Sequence, residues 1–363
     1  MPTQCPDDLL AFTTARDLVA LIRAREVSSR ELTDLYLDRI ERLDGVLGSY
    51  VEVLPDRARH AADVADERLR SGAATGPLHG IPVAIKDLHF LSGSTTTLGT
   101  RAMADHVANF DDHRVARLLT AGAIPLGKTN VPEFGTIGHT ETALLGRCAT
   151  PWGVRRNAEG SSGGAGAALA VGRCALSHGS DGAGSLRIPA AVNGLVGLKA
   201  SRDRISRGPM AGDSAFGLST PGALTRSVAD AALALDVLAG YEPGDPGMAP
   251  PPDCPWAEAI DAPVGRLRIG VSRQTPFSPE GLHPSTLAAL DHAVDLLDRL
   301  GHGLEEIQLP VADRLADQLL VLWSASLASQ PFDPGTYEPV NTWLAEVGRL
   351  RTAADSAAAH FDL

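Results

Sequence analysis

Basic charge is scarce in this chain: 32 Lys and Arg stand against 44 Asp and Glu, a formal net charge of −12. A nucleic-acid surface needs clustered Lys and Arg to displace counterions, and anionic lipid asks for the same. The basic residues here are scattered, and the nearest approach to a cluster, Arg155-Arg156, reads as a solvated turn. Neither nucleic acid nor a membrane is expected as a partner. Cysteine is sparse as well. Cys5, Cys148, Cys174 and Cys254 form no CxxC pair, which speaks against a zinc ribbon or a thioredoxin-type site. Such wide spacing suggests reduced thiols and a cytoplasmic setting, with two disulfides left open by the sequence. Long apolar runs are missing: nothing reaches the about 18 residues of a spanning helix. Residues 1–8 also lack the basic start and apolar core of a signal peptide.

What is present is enough for a large core, since 363 residues allow one big α/β domain or two of ordinary size. The first 75 residues read as helical. Residues 13–26 carry Leu18, Leu21 and Ile22 at helical spacing. Ser28-Ser29-Arg30-Glu31 reads as a capping box opening a helix with Leu32, Leu35, Ile40 and Leu43 mostly on one face. A third segment, 57–71, is rich in Ala, Arg, Asp and Glu and reads as surface-lying. From Leu78 short apolar runs alternate with helical patterns: strands at 81–85, 124–127, 174–180 and 195–199, helices at 114–121, 164–172 and 227–240. That alternation implies a sheet covered by helices. The segment 241–256 is dense in proline and glycine and must be a surface loop. Beyond it, a strand at 266–272, a helix at 285–300 and a strand at 304–309 suggest that the same sheet continues. We expect one structural domain, with a helical segment over 1–75 packed on an α/β core over 76–363.

Three short segments carry chemistry. In Asp181-Gly182-Ala183-Gly184-Ser185 small residues let the backbone approach a substrate, and the N–H groups of Gly182, Ala183 and Gly184 can point into one concavity as an oxyanion hole. A tight turn would use the same residues. A serine hydroxyl is a poor nucleophile without a base. Lys86 ends the apolar run Gly80-Ile81-Pro82-Val83-Ala84-Ile85, and burial there would lower its pKa far enough to make it one. A strand-end lysine snorkelling to water, or paired with Asp87, would look alike. Ser161, within Glu159-Gly160-Ser161-Ser162-Gly163-Gly164, could pass a proton between them, or Ser161-Ser162 could simply cap the next helix.

Taken together, these segments resemble the amidase signature family in order, spacing and flanking residues. The resemblance covers about residues 12–311 and includes Gly127-Lys128-Thr129-Asn130-Val131-Pro132-Glu133-Phe134, Gly194-Leu195-Val196-Gly197-Leu198-Lys199 and Pro221-Gly222-Ala223-Leu224-Thr225-Arg226. It implies a mixed, largely parallel sheet covered by helices on both faces. It implies Ser185 as nucleophile, Ser161 as a bridging serine after a cis Gly160-Ser161 peptide, and Lys86 as general base, with no cofactor and no metal. The implied activity is hydrolysis of a small-molecule amide or ester, a linear or cyclic carboxamide. Phe134-Gly135-Thr136-Ile137-Gly138-His139-Thr140-Glu141 is similar to stand-alone hydrolases, including those that open cyclic amides of ω-amino acids. The alternatives within the family are an amidotransferase A-type subunit that works on mischarged tRNA and a truncated, non-catalytic relative. Residues 201–210 differ from the usual amidotransferase sequence.

Three departures from the family pattern stand out. Glu159 replaces the first glycine of Gly-Gly-Ser-Ser-Gly-Gly, and Ala183-Gly184 replaces a glycine pair before the nucleophile. Family members also run well beyond residue 363. From that last point we expect the usual C-terminal part to be lacking. Apolar faces around Trp323, Leu327, Trp343, Leu344 and Leu350 would then seek a partner, with a homo-oligomer or weak activity as the result. Two rival motifs fail. Gly122-Ala123-Ile124-Pro125-Leu126-Gly127-Lys128-Thr129 fits a phosphate loop, but it contains a strand rather than opening a helix. A Ser-His-Asp hydrolase would need Gly-x-Ser-x-Gly, and Ala183 and Arg187 occupy the outer positions around Ser185; His178 reads as a packed strand residue.

Overall fold

Ser28 opens its helix as the sequence implies: its side chain accepts the Glu31 N–H while the Glu31 carboxylate accepts the Ser28 N–H at 2.9 Å, capping Ser29–Leu47. Leu32 and Ile40 of that helix are buried, and so are Leu18 and Ile22 of the preceding helix, Ala15–Ala24. The third helix, Pro55–Arg70, turns only Ala58, Ala62 and Ala65 inward, so it lies close on its neighbours and leaves its charged face to water. The computed structural model describes residues 6–210, 215–275, 281–309 and 314–361. Cys5, Val311, Asp362 and Leu363 lie outside the described residues. Among the described cysteines, Cys148 and Cys174 are buried free thiols and Cys254 is an exposed one.

Contacts group the chain into two compact units: Met1–Ile260 with Pro331–Trp343, and Asp261–Gln330 with Leu344–Leu363. The helical segment at the start of the chain belongs to the first unit, together with the main sheet. That sheet has six strands: β1 (Tyr50–Val53), β2 (Pro82–Lys86), β3 (Ile124–Thr129), β4 (Leu176–Asp181), β5 (Val196–Gly197) and β6 (Thr220–Thr225), in spatial order β1-β3-β2-β4-β6-β5. β3, β2 and β4 run parallel at the centre. β1 and β6 are antiparallel to them, and β5, antiparallel to β6, shares their direction. The sheet is therefore mixed and largely parallel. Every residue of β2, β3, β4 and β6 is buried, as expected of strands covered by helices.

In the second unit, Arg268–Val271 and Gly303–Glu306 pair in parallel as a two-stranded sheet of their own. This corrects the expectation that the main sheet continues there. A strand-helix-strand spacing determines that two strands are neighbours, not which sheet they join. Near the end of the chain Leu327 and Leu344 are buried, whereas Trp343 and Leu350 are exposed. Among the described residues no helix is long and apolar enough to cross a membrane.

One glycine shows how tightly the first unit closes around the glycine-rich loops. A Cβ on Gly164 would stand 2.3 Å from the Asn130 nitrogen and 2.5 Å from the Ser49 carbonyl oxygen, both backbone. Gly164→Ala is expected to destabilise the protein by about 3 kcal/mol, because backbone cannot rotate aside as a side chain can. Thermal melting checks this; an unchanged midpoint would show that the helix start is free to move.

Candidate active site

Lys86 closes β2 and carries its ammonium group into the interior. Nζ lies 2.8 Å from Ser161 Oγ and 3.1 Å from Ser180 Oγ, with the Ser180 carbonyl at 3.4 Å, and the residue is fully buried. Burial strips water from the charged form and brings the lysine down to about 7, against the pull of the Asp181 carboxylate, which favours the ammonium. Lys86 does not pair with Asp87. That carboxylate pairs instead with Lys128, 2.9 Å away and equally buried. Lys128 also donates to the Thr95 carbonyl and to Thr96 Oγ, so the lysine of the phosphate-loop match is a structural strand residue.

Ser161 is held from several sides. The Gly160–Ser161 peptide is cis. Thr140 Oγ donates to the Glu159 carbonyl at 2.8 Å, and Asn157 Oδ1 accepts the Glu159 N–H at 2.8 Å. Glu159 has φ +60°, the left-handed region that favours glycine, which accounts for a glycine at this place in the family pattern. Its side chain is half-buried. Ser162 stands at the N-cap of helix Gly163–Ala170, yet its hydroxyl does not cap it. It donates to the Ser180 carbonyl at 3.3 Å, and the Gly164 N–H finds the Asn130 carbonyl instead. The capping role suggested by the sequence is thus filled by tertiary structure.

Ser185 is half-buried at the mouth of the loop between β4 and helix Arg187–Asn193. It joins the other two through the backbone: its carbonyl accepts the Ser162 N–H at 3.2 Å, one residue beyond Ser161. The loop winds around Asp181, which accepts from the Gly184 N–H at 2.6 Å, the Leu186 N–H at 3.2 Å, and Arg187 Nε and Nη2 at 2.9 Å each. Burial alone would raise this carboxyl; Arg187 and the loop N–H groups outweigh it and hold it below the usual range. One sequence expectation changes here. The Gly184 N–H is spent on Asp181, so it is not free for an oxyanion; Gly182 and Ala183 remain from the expected trio. Gly184 itself has φ +117°, a conformation only glycine takes readily, whereas Ala183 is not among the positive-φ residues.

Ser180, Asp181 and Thr140 escaped the sequence reading. The Asp181-x-x-Gly184 spacing is an Asx-type turn signal that could have revealed the loop anchor; the roles of Ser180 and Thr140 are set by long-range contacts alone. Beside the loop that carries Ser161 lies a pocket of about 540 Å³ bordered by Glu133, Ile137, His139, Glu141, Glu338 and Asn341. It adjoins the cis peptide, since a Cβ on Gly160 would come within 3.3 Å of the His139 carbonyl carbon. Its floor is cross-linked: Glu133 Oε2 accepts from Asn341 Nδ2 at 2.8 Å and from the Glu338 N–H at 2.7 Å.

A mixed sheet that brings a buried lysine, a serine after a cis peptide and a second serine behind a glycine-rich loop into one place defines the class of amidase signature proteins. The chain belongs to the Amidase family, whose sequence model matches residues 31–343. It is 42% identical over 287 residues to the A-type subunit of the Glutamyl-tRNA(Gln) amidotransferase of Synechococcus sp. (strain WH7803), a match that covers 78% of this chain and 58% of that one. Among solved structures it is similar to 6-aminohexanoate cyclic dimer hydrolase complexed with substrate (TM-score 0.88, 31% identity, 97% of this chain and 75% of that one). It is also similar to the peptide amidase of Stenotrophomonas maltophilia (TM-score 0.82, 28% identity, 96% and 78%). The chain spans less than two thirds of the length of that curated amidotransferase protein.

Proposed function

We propose that this protein hydrolyses carboxamides through an acyl-enzyme on Ser185. The observation that carries the reading is the 2.8 Å contact between Lys86 Nζ and Ser161 Oγ, with the lysine fully buried and brought down to about 7. A neutral lysine takes the proton of Ser161 as Ser161 takes that of Ser185. The Ser185 oxygen attacks the carbonyl carbon, and the developing oxyanion is met by the N–H groups of Gly182 and Ala183. Collapse breaks the C–N bond while the lysine returns its proton through Ser161 to the departing amine. Water then attacks the acyl ester by the same route, releasing the carboxylic acid and restoring Ser185. Asp181 and Arg187 hold the loop. The pocket over Glu133 and Asn341, close to the Gly160–Ser161 peptide, is a candidate space for the substrate beyond the reacting carbonyl, and its size suits a small ligand.

The neutral form of Lys86 is the active one, so kcat/KM for an amide is expected to rise with pH through about 7 and level off above it. A profile that is flat from pH 5 to 9 would contradict a lysine base. A second reading is favoured by the 42% identity to an amidotransferase protein. In it the same Ser185 chemistry releases ammonia from glutamine for use by a partner. Glutamine turnover that appears only when the other components of such an assembly are added would select it; turnover of simple amides by the chain alone selects the stand-alone hydrolase.

A further inference from the structure

Behind Lys86, outside the proposed triad, the interior holds His89, Asp112, Arg114 and His178, every one of them buried. Arg114 Nε donates to His89 Nδ1 at 3.0 Å, and Arg114 pairs with Asp112, which also accepts the Phe90 N–H at 3.1 Å. Arginine has only donors to offer, so His89 Nδ1 supplies a lone pair and this ring is neutral with its proton on Nε2. That Nε2 has no protein partner among the described residues, and neither has Nδ1 or Nε2 of His178. The two rings meet edge to face with centroids 4.6 Å apart. Three ring nitrogens without partners therefore lie in one buried contact. Apolar side chains of similar size would be the more stable choice there.

The contact lies against the base. The His89 N–H donates to the Lys86 carbonyl at 3.0 Å. His178 shares a face of β4 with Ser180, two residues on, whose hydroxyl and carbonyl both reach Lys86 Nζ. We propose that His89 and His178 are positioning residues that hold an internal water and with it solvate the ammonium form of Lys86, which appears when the lysine takes the nucleophile's proton. The inference rests on Lys86 being the base. A buried water makes about three hydrogen bonds: it accepts from the His89 Nε2–H, donates to the bare ring nitrogen of His178, and offers its second lone pair to the Lys86 ammonium. The charged groups around Lys86 are Asp181 on β4, the Asp87–Lys128 pair of β2 and β3, and the Arg114–Asp112 pair at the start of helix His113–Thr120. Both histidines stay uncharged at neutral pH. Burial pushes each well below its ordinary value, helped at His89 by Arg114 and at His178 by His89. The group that titrates near pH 7 is therefore the lysine.

The test is the pH dependence of kcat/KM in His178→Leu and His89→Leu, with thermal melts of the same samples. Loss of solvation disfavours the ammonium, so the lysine becomes a weaker base. The rising limb is expected to move about one pH unit to the acid side, and the plateau to fall about tenfold. The melting midpoint is expected to stay or rise. His178→Asn, which keeps a polar group, is expected to bring the limb back toward the parent's; His178→Met serves where leucine is not accommodated. A limb that stays in place in folded variants at both positions would overturn the inference while leaving Lys86 as the base. A parent enzyme whose activity does not rise through this range would overturn both.

Discussion

Ser185→Ala is expected to lower kcat/KM for an amide by about 10⁵-fold, to the level left by binding and the oxyanion donors alone. The fold should survive, because Ser185 contributes its carbonyl, not its side chain, to the bond with Ser162. The loop also stays anchored, since Asp181 gathers Gly184, Leu186 and Arg187 rather than the serine. An unchanged melting midpoint with lost turnover is the expected pair of results. Turnover within tenfold of the parent would remove Ser185 from the nucleophile's place.

Lys86→Ala is expected to cost about 10⁴-fold on an amide and much less on an ester of the same acid. The reason lies in the second half of each step. An amine leaves only with a proton, which Lys86 returns through Ser161, whereas an alcohol with a good leaving tendency departs without waiting for it. The substitution also leaves Ser161 Oγ and the Ser180 hydroxyl without the nitrogen that lies 2.8 and 3.1 Å from them. Some loss of stability is therefore expected alongside. Parallel kinetics on a matched amide and ester check the prediction; equal losses would take the proton-donor role away from Lys86.

The sequence made much of this site visible because its parts are local. A lysine that ends a run of apolar residues is buried when the run is a central strand, and Lys86 is. Glycines around Ser161 and before Ser185 mark backbone that packs closely or turns sharply; Gly164 does the first and Gly184, at φ +117°, the second. The capping box at Ser28 formed for the same reason, all its atoms lying within four residues. What the sequence hid depends on partners far along the chain. Ser162 looks like a helix cap until Ser180 claims its hydroxyl. Gly184 looks like an oxyanion donor until the Asp181 carboxylate turns back on it. Nothing local says that the strand pair in the second unit stands apart from the main sheet. His89 and His178, 89 positions apart, read as unrelated polar residues until the parallel pairing of β2 with β4 brings their elements together.

The most direct measurement is peptide mapping of the parent protein after reaction with a fluorophosphonate, which bonds to an activated serine oxygen with loss of fluoride. The account predicts a single adduct, on the peptide that carries Ser185, formed faster as pH rises through about 7 with the neutral fraction of Lys86. An adduct on Ser161 or another serine, or on Ser185 at a rate indifferent to pH, would contradict it.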